Sequence, residues 1–167
     1  MHERSETKKM RISFDLDETL FVSPITHKTE PPLPGLLRRI YRERLRKGTP
    51  ALINELQARG FEVWVYTSSF RMEWYIKRLF HFYGVHFDGI VNAYRHLAEV
   101  QEGHPRKLPQ KVPTRYGISL HVDDEDVILS YAREYGFEGY KLDEPDDAWV
   151  VKLIARAEEV RRKKFGG

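Results

Sequence analysis

Hydrophobic and polar positions along the chain alternate between short apolar runs and longer stretches with helical spacing. Five runs read as strands: "RISFDL" (11–16), "FEVWVYT" (61–67), "FDGIVNA" (87–93), "ISLHVD" (118–123) and "GYKLD" (139–143). They are rich in β-branched and aromatic residues, which suit a pleated, packed surface. Helical spacing fills the gaps. Residues 49–60 carry Thr49 as a cap, Pro50 at the first helical position and Gly60 as a stop. Residues 71–84 also end in a glycine, and 126–136 and 147–164 repeat the pattern. Strand then helix, repeated, predicts an α/β fold with a five-stranded parallel sheet and helices on both faces. Two polar stretches, 22–48 and 94–115, interrupt the alternation and read as excursions from the sheet edge. The expected organisation is a flexible leader over 1–9 and one domain over 10–167, with 22–48 as a small basic flap.

Composition changes this picture little. Of 167 residues, 41% are hydrophobic and 32% charged, as in a soluble globular protein. No run approaches the roughly 20 apolar residues of a membrane helix. The opening "MHERSETKKM" lacks the apolar centre of a secretory signal. The absence of cysteine excludes disulfides and thiolate metal sites and fits the cytoplasm.

Charge adds more. The net charge of +3 is modest, but residues 36–47 hold six Arg/Lys against one Glu, and "RRKKFGG" closes the chain. Such clusters either solvate helix faces or attract phosphates and nucleic-acid backbones. A helix is expected over the first cluster. Arg38, Arg39, Arg42 and Arg46 would share its outer face, with Leu37, Ile40, Tyr41 and Leu45 packed inward. Nucleic acid stays open as a partner, and a membrane is not expected. The histidines show no regular metal spacing and read as surface or packing residues. Trp64, Trp74 and Trp149 read as core or edge packing.

Candidate chemistry collects at the carboxyl ends of the expected strands, where ligands bind in such sheets. The first strand ends in Asp15 and Asp17, the second in Thr67 followed by Ser68 and Ser69, and the fourth in Asp123 and Asp124. Lys107 and Lys111 precede the fourth strand. Side chains two apart on an extended chain point the same way, so Asp15 and Asp17 are expected to face one site. Clustered carboxylates repel, and a hard cation such as Mg²⁺ would compensate them, with Asp15 and Asp124 as natural ligands. One carboxylate can then attack a phosphoryl group while a second handles protons. A threonine hydroxyl and a lysine ammonium would bind the phosphoryl oxygens.

The ordered motifs "FDLDETL", "VWVYTSS" and "LHVDDEDV" together resemble the phosphatase branch of the haloacid dehalogenase (HAD) superfamily. The resemblance spans about residues 11–143, and the second acid, Asp17, separates it from the dehalogenases. It implies a Rossmannoid core with a small insertion in place of a full cap. It also implies an Mg²⁺-dependent phosphomonoester hydrolase. By resemblance, Asp15 is the nucleophile and a metal ligand. Asp17 is the general acid/base, with its backbone carbonyl on the metal. Thr67, with Ser68, binds phosphate, and Asp124 is the direct metal ligand of the acidic pair. Lys111 is preferred to Lys107 as the phosphate-binding lysine. The position four after Asp124, often acidic in the superfamily, is Ile128. Nearly capless members have open sites, which suit large substrates. The phosphorylated substrate itself stays open between a nucleotide or nucleic-acid end, a phosphoprotein and a sugar phosphate. Two other readings remain: a receiver that only accepts a phosphoryl group, and a non-catalytic binding module.

Overall fold

The structure is a computed structural model and describes residues 8–142 and 147–166. Most of the expected leader, and Asp143 at the end of the fifth expected strand, lie outside the described residues. Each of the five apolar runs contains a strand: β1 (Arg11–Phe14), β2 (Glu62–Tyr66), β3 (Gly89–Val91), β4 (Ile118–Asp123) and β5 (Glu138–Lys141). They form one sheet in the order β3-β2-β1-β4-β5, with every pairing parallel. Helices α1 (Leu37–Ile40), α2 (Thr49–Ala58), α3 (Glu73–His81), α4 (Ala93–His96), α5 (Val127–Tyr135) and α6 (Trp149–Phe165) lie between and after the strands. β1, β2 and β3 are shorter than their apolar runs, β4 matches its run, and β5 starts one residue earlier than expected.

The period of two along the strands divides the sheet into two faces. Ile12, Phe14, Val63, Val65, Leu120 and Val122 join the main core with Leu52, Ile53 and Leu56 of α2 and Leu153 of α6. The opposite face holds Trp64 and Tyr66 in a smaller cluster, together with buried Ser13 and His121. That second face is polar because it runs up to the site. Gly89 sits beside Trp64 in register, and a Cβ there would lie 2.4 Å from the indole ring. Absence of a side chain thus lets the indole lie flat on β3.

The helix expected over residues 36–47 is reduced to the single turn of α1. Beyond it the chain is extended, and Leu45 and Arg46 make isolated antiparallel bridges to Phe21 and Thr29. Ile40, expected inward, is 59% exposed, and Arg46, expected outward, is 3% exposed. The physical reason is local. The Arg46 guanidinium satisfies the Thr19 and Glu18 carbonyls at 2.8 and 3.2 Å, which a solvated helix face would leave open. Leu33, Tyr41 and Leu45 belong to the main core, so this insertion packs onto the sheet domain. Thr49 does not cap α2 as expected. Its hydroxyl donates to the Arg46 carbonyl, and Gly48 stands at the N-cap. Trp64 and Trp149 are packed as expected, but Trp74 is 53% exposed. His96 and His121 are buried, each with a hydrogen-bond partner.

No helix among the described residues is long and apolar enough to cross a membrane.

Candidate active site

Asp15 follows β1 directly. Its backbone N–H donates to the Val122 carbonyl at 2.9 Å, extending the β1–β4 ladder by one bond and bringing Asp15 beside the end of β4. Carboxylate oxygens of Asp15, Asp123 and Asp124 lie within 4.8 Å of one another. The Lys111 ammonium stands against this group, 2.6 Å from Asp123 Oδ2 and 3.2 Å from Asp15 Oδ1. Lys111 is buried, whereas Lys107 is exposed. The loop before β4 is anchored where Val112 N–H donates to the Tyr66 hydroxyl at 3.0 Å, and that hydroxyl also bonds His96 Nδ1 at 2.7 Å.

Three further side chains support the acids. His121 lies opposite Ser13 in the β1–β4 register. Its Nε2 is 3.1 Å from Asp123 Oδ2, and its Nδ1 is 2.6 Å from Ser13 Oγ. With Nε2–H donating to Asp123, the serine hydroxyl donates to Nδ1, and every atom of the chain is satisfied. Thr19 Oγ1 donates to Asp124 Oδ1 at 3.3 Å. The alternation of "ISLHVD" places His121 and Asp123 on one face, a signal that identifies His121 as a neighbour of the acids.

The electrostatics are those of crowded acids. Burial, with Asp123 adding to it and Lys111 opposing, pushes the Asp15 carboxyl up to about 7. Burial and the neighbouring Asp123 push Asp124 up to about 6. Burial acts in the same sense on Asp123, but the His121 bond and the Lys111 ammonium outweigh it and hold Asp123 well below the usual carboxylate range. Burial works against charge on Lys111, yet Asp15 and Asp123 together raise it. Burial lowers His121, in keeping with a neutral ring. Two carboxylates thus share one ammonium with a third beside them, and Asp15 and Asp124 hold their protons to higher pH than an ordinary carboxyl. The donor set is all oxygen and fits a hard cation such as Mg²⁺.

Asp17 takes a different course. The chain leaves the extended conformation after Asp15. Thr19 and Phe21 N–H groups both donate to the Leu16 carbonyl, and Glu18 adopts φ +59°. Asp17 is therefore exposed rather than facing the same point as Asp15. Both of its carboxylate oxygens accept from Arg71, at 2.8 and 2.9 Å. Arg71 Nε also donates to Glu43 at 3.1 Å, and Glu43 accepts the Tyr75 hydroxyl at 2.6 Å. Thr67 is buried at the end of β2, where its Oγ1 accepts the Ser69 N–H at 3.1 Å and keeps its own hydrogen to donate. Ser68 is half-buried beside it. Asp126, near the acidic pair in sequence, points to Lys141 instead, at 2.7 Å. A hollow of about 120 Å³ is lined by Lys111 and Asp123, and the larger hollows hold none of the three clustered carboxylates.

No protein-family model and no curated protein sequence matches the chain. Solved structures do. An uncharacterized protein from Listeria monocytogenes serotype 4b aligns over 92% of this chain and 99% of its own, at 18% identity and a TM-score of 0.57. The D,D-heptose 1,7-bisphosphate phosphatase of B. bronchiseptica, complexed with magnesium and phosphate, covers 88% of this chain and 99% of its own, at 15% identity and a TM-score of 0.54. A HAD-superfamily hydrolase of subfamily IA from Geobacter sulfurreducens PCA covers 83% and 92%, at 17% identity and a TM-score of 0.52. The chain has the HAD-like fold. In this fold the carboxylate cluster lies at the carboxyl ends of the neighbouring strands β1 and β4.

Proposed function

We propose that the protein is a Mg²⁺-dependent phosphatase that cleaves a phosphomonoester through an aspartyl-phosphate on Asp15. The observation that carries this reading is the convergence of Asp15, Asp123 and Asp124 at adjacent strand ends, with the Lys111 ammonium against Asp15 and Asp123. The similar fold of a phosphatase that binds magnesium and phosphate supports it. Asp15, Asp124 and the Asp17 backbone carbonyl would hold the ion, with Asp123 beside them. When bound, the ion supplies the positive charge that lets a carboxylate approach an anionic phosphoryl group.

The remaining work falls to the chain's own groups. Lys111, the Thr67 hydroxyl and Ser68 bind the phosphoryl oxygens and orient the phosphorus toward Asp15. An Asp15 oxygen bonds to phosphorus as the ester oxygen departs, and Asp17 gives that oxygen its proton. Asp17 then takes a proton from water, whose oxygen attacks phosphorus. The bond to Asp15 breaks, and inorganic phosphate leaves. Asp17 has to part from Arg71 to do this, since both its oxygens are engaged by guanidinium N–H groups. His121 and Ser13 position Asp123 and touch no reacting atom.

A phosphoryl-accepting receiver is disfavoured by sheet order. Flavodoxin-like receivers run 2-1-3-4-5, whereas this sheet runs β3-β2-β1-β4-β5. The test is hydrolysis of an aryl phosphate with and without Mg²⁺, with Asp15→Asn in parallel. Turnover that needs Mg²⁺ and disappears in the variant is expected. Turnover that survives Asp15→Asn would overturn the assignment of the nucleophile.

A further inference from the structure

The rim of the site carries aromatic rings that are about half exposed. Phe70 and Tyr94 are each 55% exposed, and they meet edge to face at 4.8 Å. Trp74 stands nearby in sequence at the start of α3 with Arg78 over its ring. Exposed aromatic area of this kind is costly in water and marks a binding surface. These rings are tied to the reacting centre. Phe70 lies between Ser69 and Arg71, whose guanidinium grips Asp17, and the Ala93 N–H donates to the Ser69 carbonyl at 2.9 Å, joining the Tyr94 turn to the same loop.

Cations border the rings. The Tyr75 hydroxyl, next to Trp74, lies 3.2 Å from the Ile40 carbonyl, and the Tyr75 ring meets Tyr41 at 5.1 Å, so the end of α1 stands against this rim. Arg39 and Arg42, on either side of Ile40 and Tyr41, are exposed, and no carboxylate among the described residues pairs with them. Of the basic run in the sequence, Arg44 and Arg46 serve internal carbonyls, which leaves Arg38, Arg39 and Arg42 as its surface arginines. Half-exposed rings, one already under an arginine, beside guanidinium groups that no carboxylate neutralises match one ligand chemistry: bases to stack and a phosphodiester backbone to neutralise.

We propose that this rim binds the end of a single-stranded nucleic acid and presents its terminal phosphate to Asp15. The inference rests on the phosphatase reading for what happens to that phosphate, but the surface binds independently of turnover. Phe70, Trp74 and Tyr94 take the terminal bases. Arg39 and Arg42 take the backbone. Arg71 exchanges Asp17 for the phosphodiester next to the terminal phosphate, which frees Asp17. A protein substrate would use the same arginines but not the ring faces.

Full-length Asp15→Asn protein, which forms no covalent intermediate, is titrated into a fluorescein-labelled 12-nucleotide strand bearing a terminal phosphate. Anisotropy is read at several salt concentrations. The expected result is tighter binding than to the same strand without the phosphate. Affinity should also fall with salt at a log–log slope of about −2 for three arginine contacts. Adding Phe70→Ala and Trp74→Ala should weaken binding by about 5- to 100-fold for each base that loses its ring. Adding Arg39→Glu and Arg42→Glu should flatten the salt slope. Circular dichroism of each variant checks that it is folded. Binding unchanged by the ring substitutions, or a phosphopeptide of equal charge bound as tightly as the strand, overturns the proposal. Aryl phosphate turnover by the unsubstituted protein is scored separately. Turnover without strand binding sinks the strand-end proposal alone. Strand binding that needs the rings, without turnover, upholds it and sinks the phosphatase reading.

Discussion

Asp15 and Asp17 are two residues apart in sequence and stand in opposite surroundings. Asp15 is 6% exposed, bonded by its backbone into the sheet and faced by a buried ammonium. Asp17 is exposed, and a half-buried arginine from the loop after β2 holds it. One half of the site is therefore built by strands and is preformed. The other is built by loops and has to rearrange before it can transfer a proton. The difference suits two roles: a nucleophile needs fixed position, whereas an acid/base has to approach two oxygens in turn.

Substitution of the two acids should separate these roles most sharply. Asp15→Asn is expected to lower turnover by at least about 10³-fold on every phosphate ester, because the nucleophile is gone. Asp17→Asn should cost about 10²- to 10⁴-fold on an alkyl phosphate, whose leaving oxygen needs a proton. On a nitrophenyl phosphate, which leaves unaided, Asp17→Asn should slow the first step far less and let phospho-Asp15 accumulate. Steady-state rates on both esters, with acid-quench measurement of bound phosphate, check this. Equal losses on both esters with no phospho-Asp15 accumulating would remove Asp17 from proton transfer.

The buried half was the more legible half in the sequence. An apolar run ending in Asp15, and the alternation carrying His121 and Asp123 on one face of β4, are local patterns, and strands obey them. Lys111 stood next to the strand it serves. The open half depends on contacts that no local pattern records. Arg71 meets Asp17 across 54 positions of sequence, and Glu43 comes from the insertion. The expectation that Asp15 and Asp17 face one site fails at the turn closed on the Leu16 carbonyl, which holds Glu18, a non-glycine residue at positive φ with no sequence signature. The basic run read as a helix because its charges and apolar residues recur at helical spacing. What decided otherwise was the pair of carbonyls awaiting Arg46, which are visible only once the turn at Glu18 exists.

The two halves should also differ in what their cations contribute to stability. Lys111→Met removes the buried ammonium that pairs with Asp15 and Asp123. Breaking a buried pair in this way costs about 3–5 kcal/mol. Chemical denaturation should show a loss of that size at pH 7 without divalent ion, and a smaller loss at pH 5, where Asp15 and Asp124 are protonated and Asp123 alone stays charged beside the ammonium. A loss under about 1 kcal/mol would mean that solvent reaches the cluster freely.

Acidity gives a milder handle on the same half. A carboxyl raised to about 7 in the fold holds a proton that the unfolded chain has already released above pH 4. Between pH 4 and 7 the Asp15 contribution therefore falls as pH rises, and Asp124, raised to about 6, acts in the same sense. Asp123 is depressed in the fold, so its contribution is present above the ordinary carboxylate value and is lost only in stronger acid. Protons on Asp15 and Asp124 compete with Mg²⁺. The rise in melting temperature on adding Mg²⁺ should be several degrees at pH 7.5 and nearly absent at pH 5. A rise independent of pH would place the ion elsewhere.

The smallest effect is expected from the exposed half. Arg71→Ala breaks a two-pronged contact with Asp17 and a second with Glu43, more hydrogen bonds than Lys111 makes. Yet the Asp17 side chain is 53% exposed and open to water once the arginine is gone, and Glu43, 19% exposed, keeps the Tyr75 hydroxyl. Exposed pairs contribute about 0–1 kcal/mol, so the loss should fall within that range and shrink further in 1 M salt. The Arg71 stem also packs on the Phe21 ring, with its guanidinium 5.1 Å from the ring centre, a contact that Arg71→Lys partly keeps and Arg71→Ala does not. Denaturation of both variants against the unsubstituted chain separates the charge from the packing. A loss for Arg71→Ala as large as that for Lys111→Met would show that the Asp17 clamp is a structural strut, and the contrast between a rigid half and a releasable half would fail.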